Sequence, residues 1–213
     1  MTRNDIAETL FASFLLGLAV LLLLSSGVLA AEPFTSAYTH FDTAKCPHQP
    51  GNDEEDYGSW RCPGYRGLPM RLSAGDQRMF VSFGKPGAHD LAASETFTGF
   101  NSADHGTVEW RLAAGERQPF ATILQWQVMT EADHQAEAKS PSPASGRVLV
   151  VTRLGKDGTC HVGYVDARAN AGTANALARK IADEQARSFR CGKDKPVVLG
   201  AVSSGLSLPG KAR

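Results

Sequence analysis

From Cys46 to Tyr65 the chain reads CPHQPGNDEEDYGSWRCPGY, its densest run of side chains able to do chemistry. Two thiols bracket an imidazole (His48), four consecutive acids (Asp53, Glu54, Glu55 and Asp56), a phenol (Tyr57) and an indole (Trp60). Thiol–disulfide catalysis works best from Cys-x-x-Cys, where one thiolate is stabilised beside the other sulfur, and neither cysteine has a partner at that spacing. Zinc held by Cys46, His48 and Cys62 would need closely repeated ligand spacing, and an oxidising compartment turns such thiols into disulfide. Calcium suits carboxylates, but the calcium loop alternates its ligands and closes on a distant Glu, which four contiguous acids do not reproduce. What remains is a loop closed by Cys46 and Cys62 that displays Asp53, Glu54, Glu55, Asp56, Tyr57 and Trp60: an acidic rim beside aromatic anchors, a composition common in protein-binding patches. The competing reading folds Trp60 and Tyr65 under the loop as core.

Other candidates for catalysis are weaker. Three Asp/His neighbours, His89–Asp90, Asp104–His105 and Asp133–His134, form a sensible ligand set for a transition metal, yet adjacent residues seldom point at one ion. No Gly-x-Ser-x-Gly elbow carries a serine nucleophile, and the turn DARANAG lacks the glycine pattern of a phosphate loop. His161 alternates against Val162 and Tyr164 in an extended run and reads as a sheet residue rather than a base. The sequence therefore names no reaction, metal or cofactor, and points away from catalysis.

The compartment is set at the start of the chain. Leu10 to Leu24 is uncharged and apolar, and SSGVLAAEP follows with small residues at Val28 and Ala30, the pattern of a secretory signal cleaved after Ala30 or Ala31. The uncharged run continues to Ala31, long enough to span a bilayer, so an uncleaved anchor through residues 10–31 is the alternative. Both readings put the body outside the cytoplasmic membrane, in a periplasmic or extracellular setting. With 22 basic and 22 acidic residues and no basic block, nucleic acid is excluded as a partner.

All four cysteines follow that segment, and an even count in an exported chain reads as disulfides. Pairing is expected between Cys46 and Cys62 and between Cys160 and Cys191. The second pair follows from geometry: CHVGYV is a short strand, and TANALARKIADEQARSF sets Ala174, Leu177, Ala178, Ile181, Ala182, Ala186 and Phe189 on one helical face. Packed antiparallel, that helix returns Cys191 to the start of the strand. Upstream, period-two alternation marks three hairpins: Leu68–Leu72 with Met79–Phe83, Val108–Leu112 with Phe120–Val128, and Arg147–Leu154 with Thr159–Val165.

Together these predict an α+β domain over residues 32–192, an antiparallel sheet of about six strands with one C-terminal helix packed on it, and two disulfides. Residues 84–106 and 130–146 read as long polar loops, the run VVLGAV as an edge strand at best, and 193–213 as a flexible tail. The function expected is that of a small exported cell-envelope protein that binds a protein or envelope component through the stapled loop. The rivals are a metal-dependent hydrolase using loop histidines and a purely structural envelope protein.

Overall fold

The computed structural model describes residues 33–52, 56–137 and 145–209; the apolar run 10–31 and the acids Asp53, Glu54 and Glu55 lie outside them. In chain order the elements are β1 (Phe34–Asp42), β2 (His48–Gln49), β3 (Asp56–Pro63), β4 (Pro69–Gly75), β5 (Arg78–Phe83), β6 (Asn101–Ser102), β7 (His105–Ala113), β8 (Ala121–Val128), α1 (Glu131–Glu137), β9 (Gly146–Gly155), β10 (Gly158–Asp166), α2 (Ala174–Ile181) and β11 (Val197–Val198). The three expected hairpins are β4–β5, β7–β8 and β9–β10. The first turns through Asp76 and Gln77, both at positive φ, as a two-residue turn matched to strand twist requires.

The strands divide between two sheets. The larger runs β1-β7-β8-β9-β10-β11 with β6 beside the end of β8; the smaller runs β2-β3-β4-β5. Every pairing is antiparallel except β10 with β11, so the large sheet is mixed. A second sheet is needed because β8 and β9 carry apolar residues on both faces and β7 is buried on both over Val108–Leu112, so each face must be covered. Trp110, Leu124, Trp126, Val128 and Val150 turn one way, into a core shared with Met70, Leu72, Val81 and Phe83 of the small sheet. Ala121, Ile123, Leu149 and Val151 turn the other way, onto Ala174, Ala178 and Ile181 of α2. Phe120, which strict alternation through Phe120–Val128 would set on the Leu124 face, belongs to this second core, since it precedes β8 and escapes its alternation.

The helical face is as expected: Ala174, Ala178, Ile181, Ala182, Ala186 and Phe189 are buried, although a wider π-type turn over Ala182–Ala186 succeeds α2. Buried charge also fastens this layer. Arg111 of β7 grips Asp183 with Nε and Nη2 at 3.0 and 2.6 Å, and Arg179 of α2 grips Glu109 at 2.7 and 3.2 Å. Ser36 of β1 links the two pairs, donating to Glu109 and accepting from Arg111 at 2.6 Å.

Both expected disulfides are present. Cys46–Cys62 has its Cα atoms 4.9 Å apart and Cys160–Cys191 5.6 Å apart. Such bonds belong to an oxidising environment. Among the described residues no helix is long and apolar enough to cross a membrane.

The polar stretches hold more order than their composition predicts. Residues 91–97 cover β5, with Phe97 buried against Trp126 and Tyr164. Within the stretch read as a flexible tail, β11 pairs with β10, and Leu206 and Leu208 are buried in the larger core. Asp166 anchors that segment by accepting from the Ser203 amide at 2.7 Å.

Candidate functional site: the stapled hairpin and the face beside it

The Cys46–Cys62 loop folds as a hairpin of β2 and β3. His48 lies opposite Trp60 and Gln49 opposite Ser59, and the Arg61 amide donates to the Pro47 carbonyl at 3.0 Å. That last bond makes Pro47 and Arg61 the hydrogen-bonded rung. His48–Trp60 is then a non-bonded rung, where side chains approach most closely. The disulfide occupies the next non-bonded rung of the same register. Covalent bond and ring stack thus lie side by side on one face, with the His48 and Trp60 rings stacked at 4.7 Å and 18°.

Gly58 lets the hairpin close. Its φ of +105° is one that L side chains rarely adopt, and a Cβ there would stand 2.3 Å from the Gln49 carbonyl oxygen. His48 Nε2 reaches the Tyr57 carbonyl at 3.3 Å, so the imidazole is tied to the chain on both sides of the hairpin.

The predicted binding residues fall into three groups. Asp53, Glu54 and Glu55 lie outside the described residues, and Asp56 opens β3 opposite Gly75. Tyr57 is 48% exposed. Trp60 is half-buried at the margin of the larger core and lines a cleft of about 390 Å³ across the small sheet. Trp60 pairs with Leu72 on the core-facing side of the sheet, which is the reading that folds it under the loop, and it stays only half-buried there. Tyr65 packs into the core beside Trp110.

The outer face of that sheet was not singled out by sequence reasoning. Across it Ser59, Ser73 and Phe80 form one row and Arg61, Arg71 and Ser82 the next. Phe80 supplies apolar area and Arg61 a guanidinium, while Arg71 is committed to Asp90 and to the Gly84 carbonyl at 3.0 Å. Period-two reading from the buried residues Leu72 and Val81 would have found these rows, since their neighbours lie on the opposite face, where Ser82 is buried and the others are partly or fully exposed.

The Asp/His neighbours do not come together. Asp90 pairs with Arg71 and accepts from Thr159. Asp104 turns to its own neighbour His105 at 3.0 Å on an exposed surface. Asp133 accepts from the amides and hydroxyls of Thr130 and Ser145 at 2.8–2.9 Å, and His134 packs edge-on to Phe100. Burial pushes the Asp133 carboxyl up, but those four bonds outweigh it and bring the pKa down to about 2. Among the described residues, no three His, Cys, Asp or Glu side chains form a group able to hold a metal ion.

One buried cluster lay beyond sequence reasoning. A bulge in β10 between His161 and Gly163 turns His161 to the same side as Tyr164, and Nδ1 meets the phenolic oxygen at 3.0 Å. The His161 amide donates to Glu95 at 2.6 Å, and Trp126 stands edge-on to the imidazole. Nε2 has no partner, and burial drops the imidazole pKa to about 3. Burial also raises the Glu95 carboxyl, helped by the charge of Asp90, and burial with the charge of Glu95 raises the Tyr164 phenol. A neutral, enclosed imidazole of this kind serves as a core hydrogen-bonding group. Scanned against protein-family models, curated proteins and solved structures, the chain matches none.

Proposed function

We propose that the chain is a small exported protein of the cell envelope that binds a protein or envelope component through the stapled hairpin. One observation carries this reading: the Cys46–Cys62 bond and the His48–Trp60 stack occupy successive close rungs of one hairpin. They hold an aromatic surface in place before any partner arrives. Rigid aromatic groups lose little entropy on binding, and such residues dominate interface energetics. Tyr57 stands exposed beside them, the acids Asp53 to Asp56 precede it in the chain, and the cleft with Phe80 and Arg61 adjoins. Export is supported by the apolar run at residues 10–31 ending in small residues and by the two disulfides. The acids would then draw a partner of basic surface, with aromatic contact fixing the pose.

A photoreactive residue at position 57, introduced in the native host, tests the binding surface. The expected result is a discrete crosslinked species that disappears in Trp60→Ala and in the variant with Asp53, Glu54, Glu55 and Asp56 changed to Asn or Gln. Crosslinking no different from that at a control position such as Lys195, or insensitive to both variants, would overturn the reading. The mass of the recovered protein tests export, with loss of the first 30 or 31 residues expected.

A further inference from the structure

We propose that the outer edge of β1 is a self-pairing surface and that two copies of this chain join there, antiparallel, into one continuous sheet. This goes beyond the binding role above and rests on different residues. β1 runs in unbroken register with β7 from Phe34 opposite Ala113 to Asp42 opposite His105. The Ala114 amide donates to the Pro33 carbonyl at 2.9 Å and the Thr43 amide to the Asp104 carbonyl at 2.8 Å, which marks odd-numbered residues as bonded to β7. Hydrogen bonding alternates along an antiparallel strand. The amides and carbonyls of Phe34, Ser36, Tyr38 and His40 therefore point away from β7, and among the described residues no strand pairs with that edge.

The other sheet margins are guarded. On β5 the Met79 amide donates to the Asn101 side chain at 3.1 Å and its carbonyl accepts from Thr96 at 2.7 Å. β2 and β11 have two residues each. β1 has nine, and over Phe34–Phe41 it carries no Lys, no Pro, no Asp or Glu and no bulge.

The occupant is a second copy because the edge is complementary to itself. Outward groups meet outward groups only when even residues face even ones. A two-fold axis at Ala37 does this: Phe34 lies opposite His40 of the second copy, Thr35 opposite Thr39, and Ser36 opposite Tyr38. Aromatic meets aromatic ring, hydroxyl meets hydroxyl, and no like charges oppose; such cross-strand pairs stabilise a sheet. An axis at Tyr38 would instead set Phe34 against Asp42 and Thr35 against Phe41.

Sedimentation of the purified, disulfide-intact protein over a concentration series tests this, beside two variants. The wild type is expected to double in mass with concentration. Tyr38→Pro removes an outward amide and no bond to β7, so its dimer is expected to be lost while its circular dichroism is kept. Ala37→Cys places the new thiols on the axis at a non-bonded rung, where Cα atoms approach to about 4.5 Å, within disulfide reach. Peptide mass spectrometry is expected to find a 37–37 crosslink between copies. That crosslink decides the matter even where Tyr38→Pro fails to fold. A wild type that stays monomeric at high micromolar concentration, or a dimer without the 37–37 crosslink, would overturn the proposal.

Discussion

His161 and Tyr164 share one face of β10, their side chains 3.0 Å apart, because the strand breaks step between His161 and Gly163. Without that bulge the two would lie on opposite faces. The bulge thus commits a titratable ring to the interior, where it stays neutral, with a pKa of about 3, while the unfolded chain titrates near 6.5.

Acid should therefore unfold the protein through His161. Above pH 6.5 both states hold the ring neutral. Below it the unfolded state takes up a proton that the folded state refuses, and stability should fall by about 1.4 kcal/mol per pH unit towards pH 3. Glu95 acts oppositely: its raised folded pKa means that the folded state gains the proton first, adding stability as pH falls through that value. Chemical denaturation of wild type and His161→Gln between pH 7 and pH 5 should show the slope in the first and its loss in the second.

Removing Arg111 should be costly. Its guanidinium compensates Asp183 at 2.6 Å and Glu109 both directly at 3.7 Å and through Ser36, and its side chain is only 8% exposed. Arg111→Ala leaves the largely buried Asp183 carboxylate without its cation and Glu109 with Arg179 alone, and should cost about 3 kcal/mol. The double variant Arg111→Met with Asp183→Leu should recover part of that loss in urea unfolding, since neither member is then left charged and alone.

The Cys160–Cys191 bond ties the segment after α2 back to the strand beneath it. Replacing both cysteines with Ala should cost about 3–4 kcal/mol on the chain-entropy account and lower Tm by about 10 °C. Calorimetry of the double variant beside the wild type checks this.

The C-terminal stretch should matter to stability. Leu206→Ala and Leu208→Ala each remove a side chain from the larger core and should destabilise by about 2–4 kcal/mol, whereas Lys195→Ala, on the same stretch but at the surface, should change stability by less than about 0.5 kcal/mol. Urea midpoints of the three variants measure the difference.

What could be seen beforehand follows from how strongly each segment alternates. Leu68–Leu72 with Met79–Phe83 and the pairs formed by Val108–Val128 and Arg147–Val165 announced hairpins, because one side of each strand is plainly apolar. β1 carries no such signal, because Thr35, Ser36, Thr39 and His40 place polar groups on both sides, as an edge strand permits. β3 carries none either, because Gly58, Ser59 and Arg61 hide Trp60 and Cys62 in a polar context. The bulge at His161 has no local signature, so its partnership with Tyr164 was invisible. Of the candidate surface, Tyr57 and Trp60 were legible as aromatic residues near acids. His48 as the support of Trp60, and the rows of Phe80 and Arg61, required the strand register.

The order of strands in the large sheet has a consequence in time. β1 is the first of them to be synthesised, yet its only described neighbour, β7, starts at His105. The hairpins β4–β5 and β9–β10 close as soon as they are made, and Cys46 needs only Cys62. Among the described strands β1 waits longest, with both edges open, while some sixty residues follow it. A growing chain is open to mispairing along β1 until β7 arrives to occupy one edge.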